Sequence, residues 1–158
     1  MPLFESWETF KTVVLPFAVR CGAAAFCGAL IGIERELKGK PAGFRTNILI
    51  GLGSAIYMSI GLLVGAPSGL VDPTRIAAQV VTGIGFIGAG CIIQAGGKVT
   101  GLTSAATIWV VAGIGIVAGA GYPLLAFVSS GIVLLTLVAL GEVEKRFLEP
   151  PADDYQGR

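Results

Sequence analysis

Few side chains in this 158-residue chain are suited to catalysis or metal binding. Histidine, the commonest acid–base catalyst and metal ligand near neutral pH, is absent. The cysteines Cys21, Cys27 and Cys91 have no histidine or second cysteine at metal-ligand spacing, so we interpret them as small apolar residues of the interior. The sequence therefore predicts a protein that is not an enzyme, with no catalytic residue, metal site or cofactor.

One segment, Gly83-Ile84-Gly85-Phe86-Ile87-Gly88, matches the glycine pattern of dinucleotide-binding proteins. That pattern requires a preceding strand and an acidic residue about 20 residues later that binds the ribose. No strand is predicted before this segment, and the next carboxylate is Glu142. We interpret these glycines as sites of close helix packing.

The remaining polar side chains form two clusters separated by apolar stretches. Charges in or near a membrane are costly unless they are paired or solvated, so both clusters are candidate functional sites. The outer polar cluster comprises Arg20, Asp72, Arg75 and Gln79, and the inner polar cluster comprises Glu34, Arg35, Arg45, Thr46, Asn47, Thr103 and Ser104.

Pairing within each cluster would offset that cost. We predict that Asp72 pairs with Arg20 or Arg75, and that Glu34 can pair with Arg45. The alternatives are that the two outer arginines extend to lipid headgroups, and that the inner basic loop attracts anionic lipid.

The elements that must position these clusters are membrane helices. Hydrophobic residues make up 54% of the chain and charged residues 13%, against about 25% charged residues in soluble domains. A spanning helix needs about 20 apolar residues. The sequence therefore predicts an all-α membrane protein, a glycine-rich bundle with five spans at Phe17–Ile33, Thr46–Val64, Pro73–Ile93, Ser104–Ala118 and Pro123–Leu140.

The ends of the chain flank this membrane domain, which we place at 17–141. Apolar residues recur at helical spacing in 1–16, which predicts an interfacial helix ending near Pro16 or, equally, the first turns of span one. Residues 142–158 are predicted to be a short polar cytoplasmic tail. Asp72 and Pro73 are expected to cap and open span three.

The distribution of basic residues predicts the orientation, because cytoplasmic flanks carry the excess of lysine and arginine. With five spans, eight basic residues fall on one side of the membrane: Arg35, Lys38, Lys40, Arg45, Lys98, Lys145, Arg146 and Arg158. Three fall on the other side: Lys11, Arg20 and Arg75. The N-terminus is therefore expected outside and the C-terminus in the cytoplasm. A net charge of +1 provides no drive toward nucleic acid.

Glycine is unusually common, with 24 residues, and it lies inside the apolar stretches. Small residues allow membrane helices to approach closely. The predicted packing positions are Gly28, Gly32, Gly83, Gly85, Gly88, Gly90 and Gly113, within one chain or across a homodimer.

Several motifs in one order resemble the MgtC/SapB family of bacterial membrane proteins. The resemblance covers roughly residues 20–140. It is carried by Gly28-Ala29-Leu30-Ile31-Gly32-Ile33-Glu34-Arg35, Gly43-Phe44-Arg45-Thr46, Asp72-Pro73-Thr74-Arg75, Ala77-Ala78-Gln79, Gly83 to Gly90, and Gly101-Leu102-Thr103-Ser104-Ala105-Ala106-Thr107-Ile108-Trp109.

This resemblance implies a multi-pass protein of the bacterial inner membrane, in the short form that has only the membrane domain. It also implies a link to magnesium-limited growth or virulence, and an action on the F-type ATP synthase rather than magnesium transport.

The apolar spans separate two functional hypotheses. Neither 48–70 nor 81–93 contains a carboxylate or a basic residue, although an ion pathway normally needs a charged group near the midplane. We therefore expect a non-enzymatic modulator of another membrane complex. The alternative is a transporter or channel for a small ion or solute such as Mg²⁺. A true inverted repeat between Val80–Gly85 and Val110–Gly115 would favour it, but short identities also arise by chance in sequence rich in glycine, valine and isoleucine.

Overall fold

The apolar stretches form long helices, as the charge pattern predicts. The computed structural model describes residues 7–65, 72–95 and 98–147. Its main helices are α1 (Trp7–Leu37), α2 (Phe44–Gly65), α3 (Pro73–Gly90), α4 (Leu102–Gly119) and α5 (Pro123–Leu135). Helix α5 continues through a π-helical turn, Thr136–Leu140, into the short α6 (Gly141–Phe147). Residues 1–6 of the predicted interfacial segment and 148–158 of the predicted tail lie outside the described residues.

Four helical stretches are long and apolar enough to cross a membrane: Trp7–Leu37, Phe44–Gly65, Leu102–Gly119 and Pro123–Val143. The chain is therefore an all-α, multi-pass membrane bundle. The fifth long helix, α3, does not meet the same measure of length and composition, because Arg75 and Gln79 lie in its first two turns.

The predicted third span is too long at its C-terminal end. Helix α3 stops at Gly90, and Ile93 begins strand β1 (Ile93–Ala95), which pairs antiparallel with β2 (Lys98–Thr100). Ile93 lies opposite Thr100 in this hairpin. The backbone groups after Gly90 are thus satisfied by strand pairing instead of a further helical turn.

Helix α1 contradicts the predicted helix end near Pro16. Its helical residues run without a break from Trp7 to Leu37, so the described part of the N-terminal segment forms the first turns of span one. The five residues Phe10–Val14 form a π-helical turn directly before Pro16. A π turn replaces the i to i−4 bonds that proline disrupts, which explains how the helix passes this position.

Small residues, together with a few large ones such as Ile31 and Ile108, fill the interior between α1, α2, α4 and α5. The buried apolar side chains include Ala24, Cys27, Ala55, Ala112 and Ala126, each completely inaccessible. Large apolar side chains such as Leu49, Phe86 and Leu124 lie on the outside. This inverted distribution is expected where lipid, instead of water, surrounds the bundle.

Glycines bring three helix backbones into direct contact. A Cβ on Gly28 of α1 would lie 2.5 Å from the carbonyl oxygen of Asn47, and one on Gly32 would lie 2.8 Å from the Cα of Phe44. On α4, Gly119 faces the backbone of Ala55 in the same way, and Gly115 faces that of Gly51. Any larger residue at these positions would push the helices apart.

The other predicted packing glycines do not have this role within the chain. A Cβ on Gly83, Gly85, Gly90 or Gly113 would have no neighbour within 4 Å, and one on Gly88 would only reach ordinary contact with Ala105. The glycines of α3 lie largely toward the outside because α3 joins the bundle at its edge. Spacing alone did not distinguish an inward from an outward glycine face.

Two glycines with left-handed backbones set the ends of α4. Gly101 precedes the helix with φ +88°, where a Cβ would clash with the carbonyl of Cys91 at the end of α3. Gly121 follows it with φ +97° and lies beside the Arg20 guanidinium. The predicted break between Gly119 and Pro123 is confirmed, because α4 ends at Gly119 and α5 starts at Pro123.

Candidate functional site

The inner polar cluster is organised by the last turns of α1. Glu34 accepts from Arg35 at both carboxylate oxygens, with Nε to Oε2 at 2.5 Å and Nη2 to Oε1 at 2.8 Å. Lys38, one turn later, is 2.8 Å from Oε1 and also donates to the Leu137 carbonyl at 3.4 Å. The pair is largely shielded, because the Arg35 side chain is only 3% exposed.

The predicted Glu34–Arg45 pair is not formed. The carboxylate of Glu34 is already occupied by Arg35 and Lys38, and Arg45 is exposed on the first turn of α2. Sequence reasoning missed Lys38, although its spacing of four residues from Glu34 is the standard signal for a helical ion pair. It also missed Glu36, whose carboxylate accepts from the Phe44 amide at the start of α2.

Asn47 lies at the centre of the contact between α1 and α2. It is fully buried, and its Nδ2 donates to the carbonyls of Ala42 at 2.7 Å and Gly43 at 2.8 Å. These bonds fix the loop that precedes α2. Within the residues that the structure describes, neither its Oδ1 nor the buried Nη1 of Arg35 has a hydrogen-bond partner.

The remaining members of the inner polar cluster divide between surface and interior. Ser104 is buried near the start of α4, whereas Thr46 and Thr103 are exposed. The Thr103 carbonyl accepts from Thr107 at 2.7 Å, an ordinary intrahelical bond. The interior part of this cluster therefore consists of Glu34 with Arg35, and of Asn47 and Ser104.

The outer polar cluster does not contain the predicted ion pair. The Asp72 carboxylate forms no ion pair with Arg20 or Arg75 and instead caps α3, where its Oδ1 accepts from the Thr74 hydroxyl at 2.7 Å and the Thr74 amide at 2.9 Å. These bonds, the hydroxyl first, lower the pKa of the Asp72 carboxyl. The predicted capping role of Asp72 is thus confirmed.

Arg20 lies at the C-terminal end of α4. Its Nη1 is 3.5 Å from the Gly119 carbonyl, which also accepts from the buried Ser59 hydroxyl at 3.0 Å. A cation is favoured there by the unpaired carbonyls and by the helix dipole. Arg20 thus stabilises the end of a helix and does not neutralise an acid.

Arg75 and Gln79 line an apolar groove between α2 and α3. The groove has a volume of about 710 Å³. Its α2 side includes Leu49, Gly53 and Tyr57. The two halves of the outer polar cluster are therefore separated, with Arg20 on the bundle and Arg75 and Gln79 at the groove.

A family model described as the MgtC family matches residues 22–146. This range includes α2 to α5 and every member of the two polar clusters except Arg20. The chain belongs to the MgtC family. No solved structure matches it.

Curated relatives of this MgtC-family chain are similar over most of its length. It is 46% identical over 131 residues to the Escherichia coli K12 protein named "Putative magnesium transporter YhiD", an alignment covering 80% of this chain and 60% of the relative. It is 39% identical over 141 residues to "Protein MgtC" of Salmonella typhimurium LT2, covering 89% and 59%. The chain thus spans about three fifths of the length of these relatives.

A third relative, "Protein MgtC" of Brucella abortus, is 46% identical over 108 residues, which cover 68% of this chain and 44% of the relative. The similarity to the MgtC family therefore covers the membrane bundle of this chain.

Proposed function

We propose that this MgtC-family chain is a non-enzymatic modulator of another membrane complex in the bacterial inner membrane. The observation that carries the proposal is an uncovered face of small residues on α3. We call it the open face, and it consists of Ala78, Thr82, Gly85 and Ala89, which share one side of the helix and are all exposed. Small residues allow a second helix to approach closely in lipid.

Phe86 lies beside the open face and is 85% exposed. The small side chains of the open face allow a partner helix to approach closely, and the exposed Phe86 ring offers it a large apolar contact. The family resemblance makes the F-type ATP synthase the first candidate partner, and the printed name of the Escherichia coli relative links that protein to magnesium.

The tight packing of the bundle supports modulation over transport. Helices α1, α2 and α4 meet through Gly28, Gly51, Gly115 and Gly119, at which even one added carbon would collide with a neighbouring backbone. A pathway through the centre of the bundle would have to separate these backbones.

Transport remains the second candidate, and the printed name of the Escherichia coli relative favours it. Liposome flux discriminates between the two. Uptake of Mg²⁺ down a gradient that is lost in Glu34→Gln or Asp72→Asn would support transport. Flux equal to that of empty liposomes would support modulation.

Co-purification tests the modulator directly. The chain is solubilised from its native membrane in mild detergent, and the recovered proteins are compared for wild type, Gly85→Leu and Gly131→Leu. Both glycines have open space around them, but Gly131 lies on α5, away from the open face. We expect one complex to be recovered with wild type and Gly131→Leu and lost with Gly85→Leu. Recovery of self-oligomers alone would contradict the proposal.

The proposed orientation has the N-terminus outside and the C-terminus in the cytoplasm, on the basis of the eight basic residues assigned to the cytoplasmic side. Reporter fusions at the two termini test it. A C-terminal reporter that is active only outside the cytoplasm would contradict it.

A further inference from the structure

The groove between α2 and α3 is held open by two glycines. Gly53 on α2 and Gly83 on α3 both line it, and a Cβ on either one would meet no atom within 4 Å. Nearer the start of α3 the two helices touch, because Ile76 packs directly against Gly61. The groove is therefore bounded at one end and is otherwise open to the surrounding lipid.

The walls of the groove are apolar along most of their length. Leu49 and Ile50 line it from α2, and Val80, Ile84 and Ile87 line it from α3. From Arg75 to Ile87 the α3 wall spans twelve residues, or about 18 Å at the helical rise. One leaflet of a bilayer contributes about 15 Å of hydrocarbon, so the groove has the length of an acyl chain.

Three polar side chains lie toward the Arg75 end of the groove. Arg75, Gln79 and Tyr57 line it, and none of their side chains makes a hydrogen bond or ion pair with the described part of the protein. Tyr57 is 63% exposed although it lies inside a spanning helix. Unpartnered donors are costly within a membrane unless a ligand or a headgroup satisfies them.

The charge at this end is complementary to an anion. Asp72, three residues before Arg75, interacts with it electrostatically, but its carboxylate bonds Thr74 and forms no ion pair with the guanidinium. Arg75 is the basic residue that lines the groove at this end, since Arg20 lies on the bundle beside Gly119. A guanidinium free to bind two phosphate oxygens is suited to a phospholipid headgroup.

We propose that this groove binds one anionic phospholipid of the phosphatidylglycerol type. One acyl chain lies between Gly53 and Gly83, and the phosphate is bound by Arg75, with Gln79 and Tyr57 donating to the headgroup. The apolar walls, the length of about 18 Å and the cation at one end match an acyl chain attached to an anionic headgroup.

Native mass spectrometry of the purified full chain tests this proposal. The protein is titrated with phosphatidylglycerol and with phosphatidylcholine of identical acyl chains. We expect wild type to retain phosphatidylglycerol about tenfold more tightly, the effect of one charge-assisted hydrogen bond. Equal retention of the two lipids by wild type would overturn the proposal.

Two variants separate the headgroup from the acyl chain. Arg75→Gln is expected to bind both lipids equally, because it removes the cation and leaves the groove intact. Gly83→Leu is expected to retain neither, because the new side chain occupies the groove. The matched controls are Lys40→Gln, an exposed charge on the loop before α2, and Gly131→Leu on α5, and both should bind as wild type does.

Two further measurements keep the test decisive. Thermal unfolding in lipid-free detergent should be the same for Gly83→Leu and Gly131→Leu; if Gly83→Leu is less stable, Gly53→Leu replaces it as the blocking variant. A photo-reactive residue at position 80 should cross-link to lipid in membranes. Cross-linking there to a protein chain, or lipid retention unchanged when the groove is blocked, would overturn the proposal.

Discussion

Asn47 shows what a buried amide can do in a bundle with few polar side chains. Both of its Nδ2 bonds go to carbonyls of the loop before α2, at Ala42 and Gly43. Its Cβ also packs against Gly32, 3.2 Å from the position that a Cβ on this glycine would take. One residue therefore fixes both the loop and the contact between α1 and α2.

Replacement of Asn47 by alanine is expected to destabilise the bundle by about 1–3 kcal/mol, because two buried carbonyls lose a donor. The measurement is the free energy of unfolding in detergent. Thr46→Ala is the control, since Thr46 is adjacent and exposed. Equal stability of the two variants would show that the amide bonds are not needed.

Asp72 gives a pH-dependent prediction. Its pKa is lowered from the ordinary 3.8 by the hydrogen bonds from Thr74. Stabilisation by the ionised cap is therefore fully present above pH 3.8 and is lost as the pH falls through the lower pKa of the folded state. The NMR shift of the Thr74 amide should titrate with a midpoint below 3.8.

Asp72→Asn is the control for this titration, because asparagine also caps helices but does not ionise in this range. It should remove the titration and keep the capped position of the Thr74 signal. A wild-type midpoint at or above the ordinary value would contradict the capping geometry.

For individual residues, contacts between sequence neighbours were predictable, whereas pairings between residues far apart in the sequence were not. Asp72 followed by Pro73 is a local capping signal, and the structure has that cap. The pairings of Asp72 with an arginine and of Glu34 with Arg45 required knowledge of which side chains meet across elements. In each case the carboxylate bonds neighbours within four residues instead, Thr74 for Asp72 and Arg35 with Lys38 for Glu34.

At the scale of elements, the contact between α1 and α2 depends on the absence of side chains. Gly28→Leu should reduce the free energy of unfolding by about 1–3 kcal/mol, the usual effect of overpacking. The reason is that the new Cβ would lie 2.5 Å from the Asn47 carbonyl oxygen. Gly131→Leu should have little effect, since its surroundings are open. Both are measured as unfolding in detergent, and equal losses would contradict the packing described.

The helices themselves were predictable because charges and glycine–proline breaks mark their ends. The hairpin after α3 was not anticipated, although Gly96 and Gly97 between its strands form a typical hairpin signal. The sequence also did not predict which glycine faces point into the bundle and which point outward. Gly28 and Gly85 have the same chemistry, and only the position of α3 at the edge of the bundle leaves Gly85 uncovered.

At the scale of the molecule, the protein has a closed side and an open side. Helices α1, α2 and α4 are in backbone contact, whereas α3 leaves a groove on one flank and the open face on another. The groove is suited to a lipid and the open face to a protein helix. Both surfaces belong to the helix that contributes least to the closed core, which is the arrangement expected of a membrane protein that acts through its neighbours.

Photo-cross-linking in living cells tests this account most directly. A photo-reactive amino acid replaces Phe86 beside the open face or, as a control, Leu124, which is 73% exposed on α5. We expect position 86 to cross-link to a single membrane protein. Gly85→Leu should abolish this product, and position 124 should not yield it. Cross-links from position 86 to lipid or to a second copy of this chain alone would contradict the account.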